Sequence, residues 1–451
     1  MSLVSRFPTR ITRITALAVS VSAMLSAGSA MAAQTLYGGG STFAAPPYVG
    51  TDYLVPVPSA RLSTNASNTA GSGFTTAGVS VGSIFDVYTT NYLNKISYCQ
   101  TGSGFGKNSL NGASTALSSG QCNDFSTSPV GFSAPTDSPD YIGTDSPYST
   151  TDYNAFLAST QFAPHQGIVQ IPTIAGAIAL PHNDTVDNVA MHTANVCRIF
   201  SGLATKWSSV AGVTGTGATG TIKIVYRTDS SGTTFAFTRY LAANCNGTAY
   251  VPSGFVFTPN STFNSALPGG VTAVYGSRAI GASGNAGVVQ ATLNAANANA
   301  LGYADIGEVL AEAAGYATVN GFDPAKFGLN SSNVPTPISI AITSLMTGKV
   351  LDGATANDVP GSSSQSIKDC VRLVNPAFKV SATYPIVAIT YLASYTNGNG
   401  TLGHTNAIKN LYNLFYNHAK RPVLSTGYAY LDGVATFGTS VKSTISACIA
   451  Q

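Results

Sequence analysis

The residues best suited to chemistry lie in the stretch 225–234, VYRTDSSGTT. A short apolar run ends, and Arg227 follows with a planar fork of donors matched to an oxyanion. Asp229 stands close enough in sequence to orient it, and Ser231, Gly232 and Thr233 then open a helical pattern. A helix start offers unpaired backbone N–H groups and the positive end of the dipole. Hydroxyls and a glycine at that point make an anion cradle. The same residues also describe a plain capped helix after a turn, with Arg227 simply paired to Asp229.

Three further stretches carry related chemistry. Residues 38–46, GGGSTFAAP, put three glycines before Thr42 and Phe43, so that backbone amides are free to point at a ligand. Residues 101–106, TGSGFG, place Ser103 in a glycine-rich loop; the Gly-Lys-Ser/Thr ending of a nucleotide-binding P-loop is missing. Residues 132–139, FSAPTDSP, set Asp137 in a tight turn, where most aspartates only stabilise the turn.

The elements that must position these residues alternate. Residues 168–180 (IVQIPTIAGAIAL) read as a buried strand bent by a proline and a glycine, and 221–226 (TIKIVY) as a second strand. Residues 234–243 read as helix and 384–392 (YPIVAITYL) as strand. Ile408, Leu411, Tyr412 and Phe415 have the spacing of an amphipathic helix. Segments 56–83 and 205–220 are rich in small polar residues and read as loops or insertions. The alternation predicts an α/β architecture.

Composition narrows the function. The chain has 451 residues, 44% of them hydrophobic and only 9% charged, which leaves no highly charged face for nucleic acid. Arg6, Arg10 and Arg13, an apolar stretch over 16–25 and the small residues Ala30, Ala32 and Ala33 predict a secretory signal peptide over 1–33. That stretch is shorter than the ~20 residues of a membrane span. Since the first cysteine is Cys99, no lipid anchor is expected at the cleavage point. The formal charge of +3 resides in those three arginines, so the mature chain is neutral. Six cysteines in an exported chain predict structural disulfides, and no C-x-x-C spacing favours a metal instead. Sequence does not select among the pairings; nearest neighbours give Cys99–Cys122, Cys197–Cys245 and Cys370–Cys448.

Taken in order, the four stretches resemble the PstS/DING family of phosphate-binding proteins, and YRTDSSGTTFAFTRYL is the most specific match. RIFSGLATKW (198–207), GNAGV (284–288) and LGYADIG (301–307) support it. The resemblance implies a type II periplasmic binding protein fold: two α/β lobes joined by two crossover strands, near 168–173 and 382–388. Lobe one would hold 34–168 and 388–451, and lobe two 169–387. It further implies that Thr42, Phe43 (through its N–H), Ser103 and Asp137 contact phosphate from one lobe. Arg227, Ser231, Gly232 and Thr233 would contact it from the other, with Asp229 orienting Arg227. A carboxylate beside an anion rewards a ligand that carries a proton, as phosphate does near neutral pH and sulfate does not.

The implied partners are inorganic phosphate and an inner-membrane ABC permease, with no cofactor, no metal and no nucleic acid, and a monomer is expected. The implied location is periplasmic or extracellular. A secreted phosphatase is the main rival, but His165, His182, His192, His404 and His418 lack metal-ligand spacing, and no Ser-His-Asp arrangement is readable. An extracellular scavenging or adhesion protein on the same fold is the other.

Overall fold

The apolar run after Gly167 forms the strand Ile168–Ala179, and all of its residues are buried. In the computed structural model, residues 33–50, 60–63 (backbone only), 79–112, 138–380 and 382–451 are described. The expected signal peptide up to residue 32, Asp137 and Cys122 lie outside the described residues.

Strand Ile168–Ala179 pairs antiparallel with Val387–Tyr395, from Val387 opposite Ala177 to Tyr395 opposite Ile168. The register slips between Thr390 and Tyr391, where the partner strand carries Pro172. Proline has no N–H to give the ladder, and a bulge absorbs the loss while re-aiming nearby side chains.

Among the described residues this pair belongs to a sheet of nine strands. Gly38–Gly40 runs parallel to both Lys95–Gln100 and Tyr141–Thr144, and the latter pairs antiparallel with Val387–Tyr395. A five-stranded sheet follows, in which Lys223–Arg227 lies parallel to Ala279–Ala282 and Ala300–Leu301. Helices Ser103–Leu110, Gly232–Cys245 and Gly284–Leu293 each follow one of these parallel strands. The α/β expectation holds.

Local chemistry explains most boundaries. Ser231 caps the helix Gly232–Cys245, its hydroxyl accepting from the Thr234 amide at 3.0 Å. Thr401 does the same for Leu402–Leu414, whose Ile408, Leu411 and Tyr412 are buried on one face. Two elements differ from expectation. The strand expected at 384–392 starts later, at Val387, because Pro385 cannot donate to a ladder. Within the expected loop 56–83, Ala60–Ser63 is a strand paired with Lys95–Gln100; its polar composition hid an edge position that needs little apolar surface. Residues 205–220 do form loop, apart from the single turn Trp207–Ser209, whose indole is fully buried.

Cys197–Cys245 and Cys370–Cys448 are bonded as expected. The third expected bond, Cys99–Cys122, involves a residue outside the described ones. Among the described residues, no helix is long and apolar enough to cross a membrane.

Candidate anion-binding site

Side chains converge where parallel strands end. Strand Gly38–Gly40 ends at Ser41, Thr42 and Phe43; Lys95–Gln100 ends before Ser103; Tyr141–Thr144 ends at Asp145. From the smaller sheet, Lys223–Arg227 ends at Arg227, and Ala279–Ala282 ends before Asn285. The C-terminal ends of parallel strands are where α/β sheets bind ligands, because the helices that follow point their amide ends there.

Glycine permits the close approach of these loops. Gly40 has φ +116°, and a Cβ there would lie 2.3 Å from the Gly143 carbonyl oxygen. At Gly232 a Cβ would lie 2.4 Å from Ser103 Oγ and 2.7 Å from Asp145 Oδ2, so only glycine lets this helix start meet the opposite loops. The loops also bond directly, the Gly104 amide donating to the Ser230 carbonyl at 3.2 Å.

Asp145 is the carboxylate of the cluster and is buried. Its Oδ2 accepts from Ser41 Oγ at 2.5 Å and Ser103 Oγ at 3.5 Å, and its Oδ1 from Thr390 Oγ1 at 2.7 Å. Burial pushes its pKa up to about 6, against the lowering effect of Ser41, Thr390, Arg227 and Ser103. A carboxylate so placed accepts hydrogen bonds when ionised and repels an anion that brings no proton.

Arg227 faces it from the other sheet and is 1% exposed. Nε and Nη2 donate to Asp229 at 2.7 and 2.5 Å, and Nη1 donates to Asn285 Oδ1 at 2.9 Å. A guanidinium has five N–H donors, which leaves one on each terminal nitrogen for a ligand. Burial opposes the charges of both Arg227 and Asp229. Their mutual attraction outweighs it, raising the arginine pKa and lowering that of the carboxyl. Asp229 also accepts from the Gly284 amide at 3.1 Å, which fixes it between the two helix starts.

Among the expected residues, Ser103 touches Asp145 directly, and Gly232 abuts both. Thr42 and Thr233 meet through Asn285, whose Nδ2 donates to their hydroxyls at 3.1 and 3.4 Å. No protein acceptor takes the amides of Gly232 or Thr233 among the described residues. The Ser231 hydroxyl caps its helix, and the Phe43 amide donates to Ser41 Oγ at 3.0 Å. Asp229 holds Arg227 through the two hydrogen bonds given above.

Asp137, expected to supply the carboxylate, lies outside the described residues, and the described carboxylate is Asp145. The tetrapeptide Thr-Asp-Ser-Pro occurs twice, at 136–139 and 144–147. The second begins at the end of the strand Tyr141–Thr144, and the apolar residues Tyr141 and Ile142 before it were the available signal. Ser41, Asn285 and Thr390 were also missed. Ser41 and Asn285 sit inside the quoted stretches GGGSTFAAP and GNAGV, whereas nothing local marks Thr390.

The histidines lie elsewhere. His165 stacks on Tyr395 with ring centroids 3.6 Å apart, and His404 and His418 pair with Asp140 and Asp432. Among the described residues no group of three or more His, Cys, Asp or Glu could hold a metal ion.

Comparison with known proteins agrees with this architecture. The alkaline phosphatase L of Pseudomonas aeruginosa (strain UCBPP-PA14) is 37% identical over 161 residues, 35% of this chain and 37% of that protein. A phosphate-binding protein from an unknown prokaryotic organism is 35% identical over 153 residues, 34% of this chain and 38% of that protein. These alignments thus span little more than a third of the curated relatives. The crystal structure of a phosphate-binding protein from Stenotrophomonas maltophilia superposes with a TM-score of 0.55 at 22% identity, covering 91% of this chain and 93% of the other. The fold is therefore that of a periplasmic binding protein. The PBP superfamily domain (PBP_like_2) matches residues 58–410, most of the chain. The chain belongs to the PBP superfamily.

Proposed function

We propose that this protein binds one inorganic phosphate ion between the two sets of strand ends and functions as an exported receptor. The observation that carries the reading is the buried Asp145 carboxylate, which faces the Arg227 guanidinium and the free amides of Gly232 and Thr233. Such a set neutralises an anion largely through dipoles and one arginine, and it accepts the hydrogen of a protonated oxyanion. Thr42, Phe43, Ser103 and Asp145 serve from one lobe, Arg227, Ser231, Gly232 and Thr233 from the other. The lobes take residues 34–168 with 388–451, and 169–387. Ligand binding shifts an opening and closing of these lobes.

The relatives named phosphate-binding proteins support the substrate class. A receptor of this kind, exported behind a cleaved signal peptide, delivers its ion to an inner-membrane permease. Hydrolysis is the second reading, favoured by the similarity to alkaline phosphatase L. We prefer binding because no histidine adjoins Ser41 or Ser103 to serve as general base among the described residues.

The test is calorimetric titration of the purified protein at neutral pH, after unfolding and refolding with its disulfides intact to strip bound ligand. Tight one-to-one phosphate binding without sulfate heat is expected. Absence of phosphate binding by folded protein overturns the proposal. Turnover of p-nitrophenyl phosphate by homogeneous protein, abolished by Ser41→Ala, would establish the hydrolase instead.

A further inference from the structure

Behind Asp145, a cavity of about 200 Å³ opens between the helix Gly232–Cys245 and the strand Val387–Tyr395. Ala236, Tyr240, Ile389 and Tyr391 are among the residues that form its walls. Its charged lining residues are Asp145, Arg239 and Lys379. Asp145 is already engaged by Ser41, Ser103 and Thr390. Neither cation pairs with a carboxylate among the described residues. Arg239 donates to the Pro376 carbonyl at 2.9 Å.

An arginine set among apolar walls without a counter-charge is costly, and burial accordingly lowers its pKa. An arginine that merely covers apolar surface keeps its head in water. Here the residue is half-buried, and its guanidinium lies 5.8 Å from the Phe235 ring centroid and donates to the Pro376 carbonyl at the cavity wall. A guanidinium fork matches a carboxylate, and an apolar cavity of about 150 Å³ is large enough for a benzene ring.

We propose that this cavity binds a small amphipathic carboxylate, its ring against Ala236, Tyr240 and Ile389 and its carboxylate on Arg239 and Lys379. The site adjoins the phosphate cluster at Asp145, but its recognition groups, Arg239 and Lys379, do not depend on the phosphate reading. The shared wall at Asp145 makes one control necessary, since a carboxylate is itself an anion that could enter the cluster.

The experiment is a ¹⁹F NMR titration of the full protein with 4-fluorobenzoate, run with and without saturating phosphate, with 4-fluorobenzamide as the uncharged control. Saturable benzoate binding that persists in phosphate and exceeds that of the amide is expected. Arg239→Gln weakens it by about tenfold, the scale of a charge-assisted hydrogen bond. Ala236→Leu, which fills the cavity, abolishes it. Lys379→Gln, at an exposed position, weakens it by a smaller factor and serves if the Arg239 variant does not fold. Equal binding of the amide, displacement of benzoate by phosphate, or unchanged binding in the folded variants overturns the proposal.

Discussion

Asn285 Nδ2 donates to Thr42 Oγ1 at 3.1 Å across 243 positions of sequence, while Asn285 Oδ1 accepts from Arg227 Nη1 at 2.9 Å. One buried amide thus ties the turn after Gly38–Gly40 to the arginine of the opposite sheet. Asn285→Ala leaves the Arg227 donor and the Thr42 hydroxyl unpaired. An unsatisfied buried polar group costs about 1–3 kcal/mol. Phosphate affinity is expected to fall by about tenfold or more. Calorimetry on the folded variant checks this, and parent-like affinity would remove Asn285 from the closing contacts.

In the proposed site Asp145 is the group that discriminates phosphate from sulfate, and the sign of its pH dependence follows from its burial. With a pKa raised to about 6, it is ionised at pH 8, accepts a hydrogen from protonated phosphate and repels sulfate. As pH falls through that value the carboxyl becomes a donor, and the penalty on sulfate lifts. The phosphate-to-sulfate affinity ratio is expected to shrink on acidification. Asp145→Asn should give a small ratio at every pH, losing discrimination more than phosphate affinity. Competition titrations from pH 5 to 8 test it, and a ratio unmoved by pH or by the substitution contradicts the role.

Legibility of this site in the sequence tracks how local each contact is. The Arg227–Gly232 stretch was readable because strand end, arginine, cap and helix start are contiguous and their chemistry is self-explanatory. Asp145 shares its tetrapeptide with residues 136–139, and the apolar Tyr141 and Ile142 of the strand before it were its local signal. Thr390 was invisible. It reaches Asp145 over 245 positions, from a strand whose register slips beside it. The long strands were legible as apolar runs, whereas Ala60–Ser63 was not, since an edge strand does not require an apolar sequence.

Arg227 pairs with Asp229 and is the proposed donor to phosphate, and paired substitutions separate the two roles. Arg227→Ala leaves Asp229 without its bidentate partner, and breaking such a buried pair costs about 3–5 kcal/mol. Loss of phosphate binding in that variant alone would therefore be ambiguous. Arg227→Met combined with Asp229→Asn removes both charges. The double variant is expected to regain much of the lost thermal stability without regaining phosphate binding. Recovery of binding in it would show that Arg227 acts only through the fold.

Glu308 and Asp305 form the second set of buried acids, at the start of the helix Ile306–Ala311. Asp305 Oδ1 accepts from the Glu308 amide at 2.9 Å and from the Tyr428 hydroxyl at 2.7 Å, and that hydroxyl lies 3.0 Å from the Phe43 carbonyl. The acids thus stand directly behind the Phe43 turn. Burial raises both pKa values; the charge of Asp145 adds to the rise at Asp305, those of Asp305 and Glu312 add to the rise at Glu308, and Arg227 lowers both. Glu308 Oε2 has no hydrogen-bond partner among the described residues. A carboxyl raised in the folded state holds its proton there at pH values where the unfolded chain, titrating near 4.3, has released it. Its contribution is complete below that range and is lost as pH rises toward the folded value. Thermal stability is therefore expected to decline from weakly acidic to neutral and alkaline pH. Glu308→Gln, which keeps the shape and cannot ionise, should flatten that decline and raise the melting temperature at pH 8 while changing it little at pH 4. Melting curves of parent and variant across this range decide it. Parallel curves would mean that Glu308 finds a proton or a partner at every pH, and that the decline has another source.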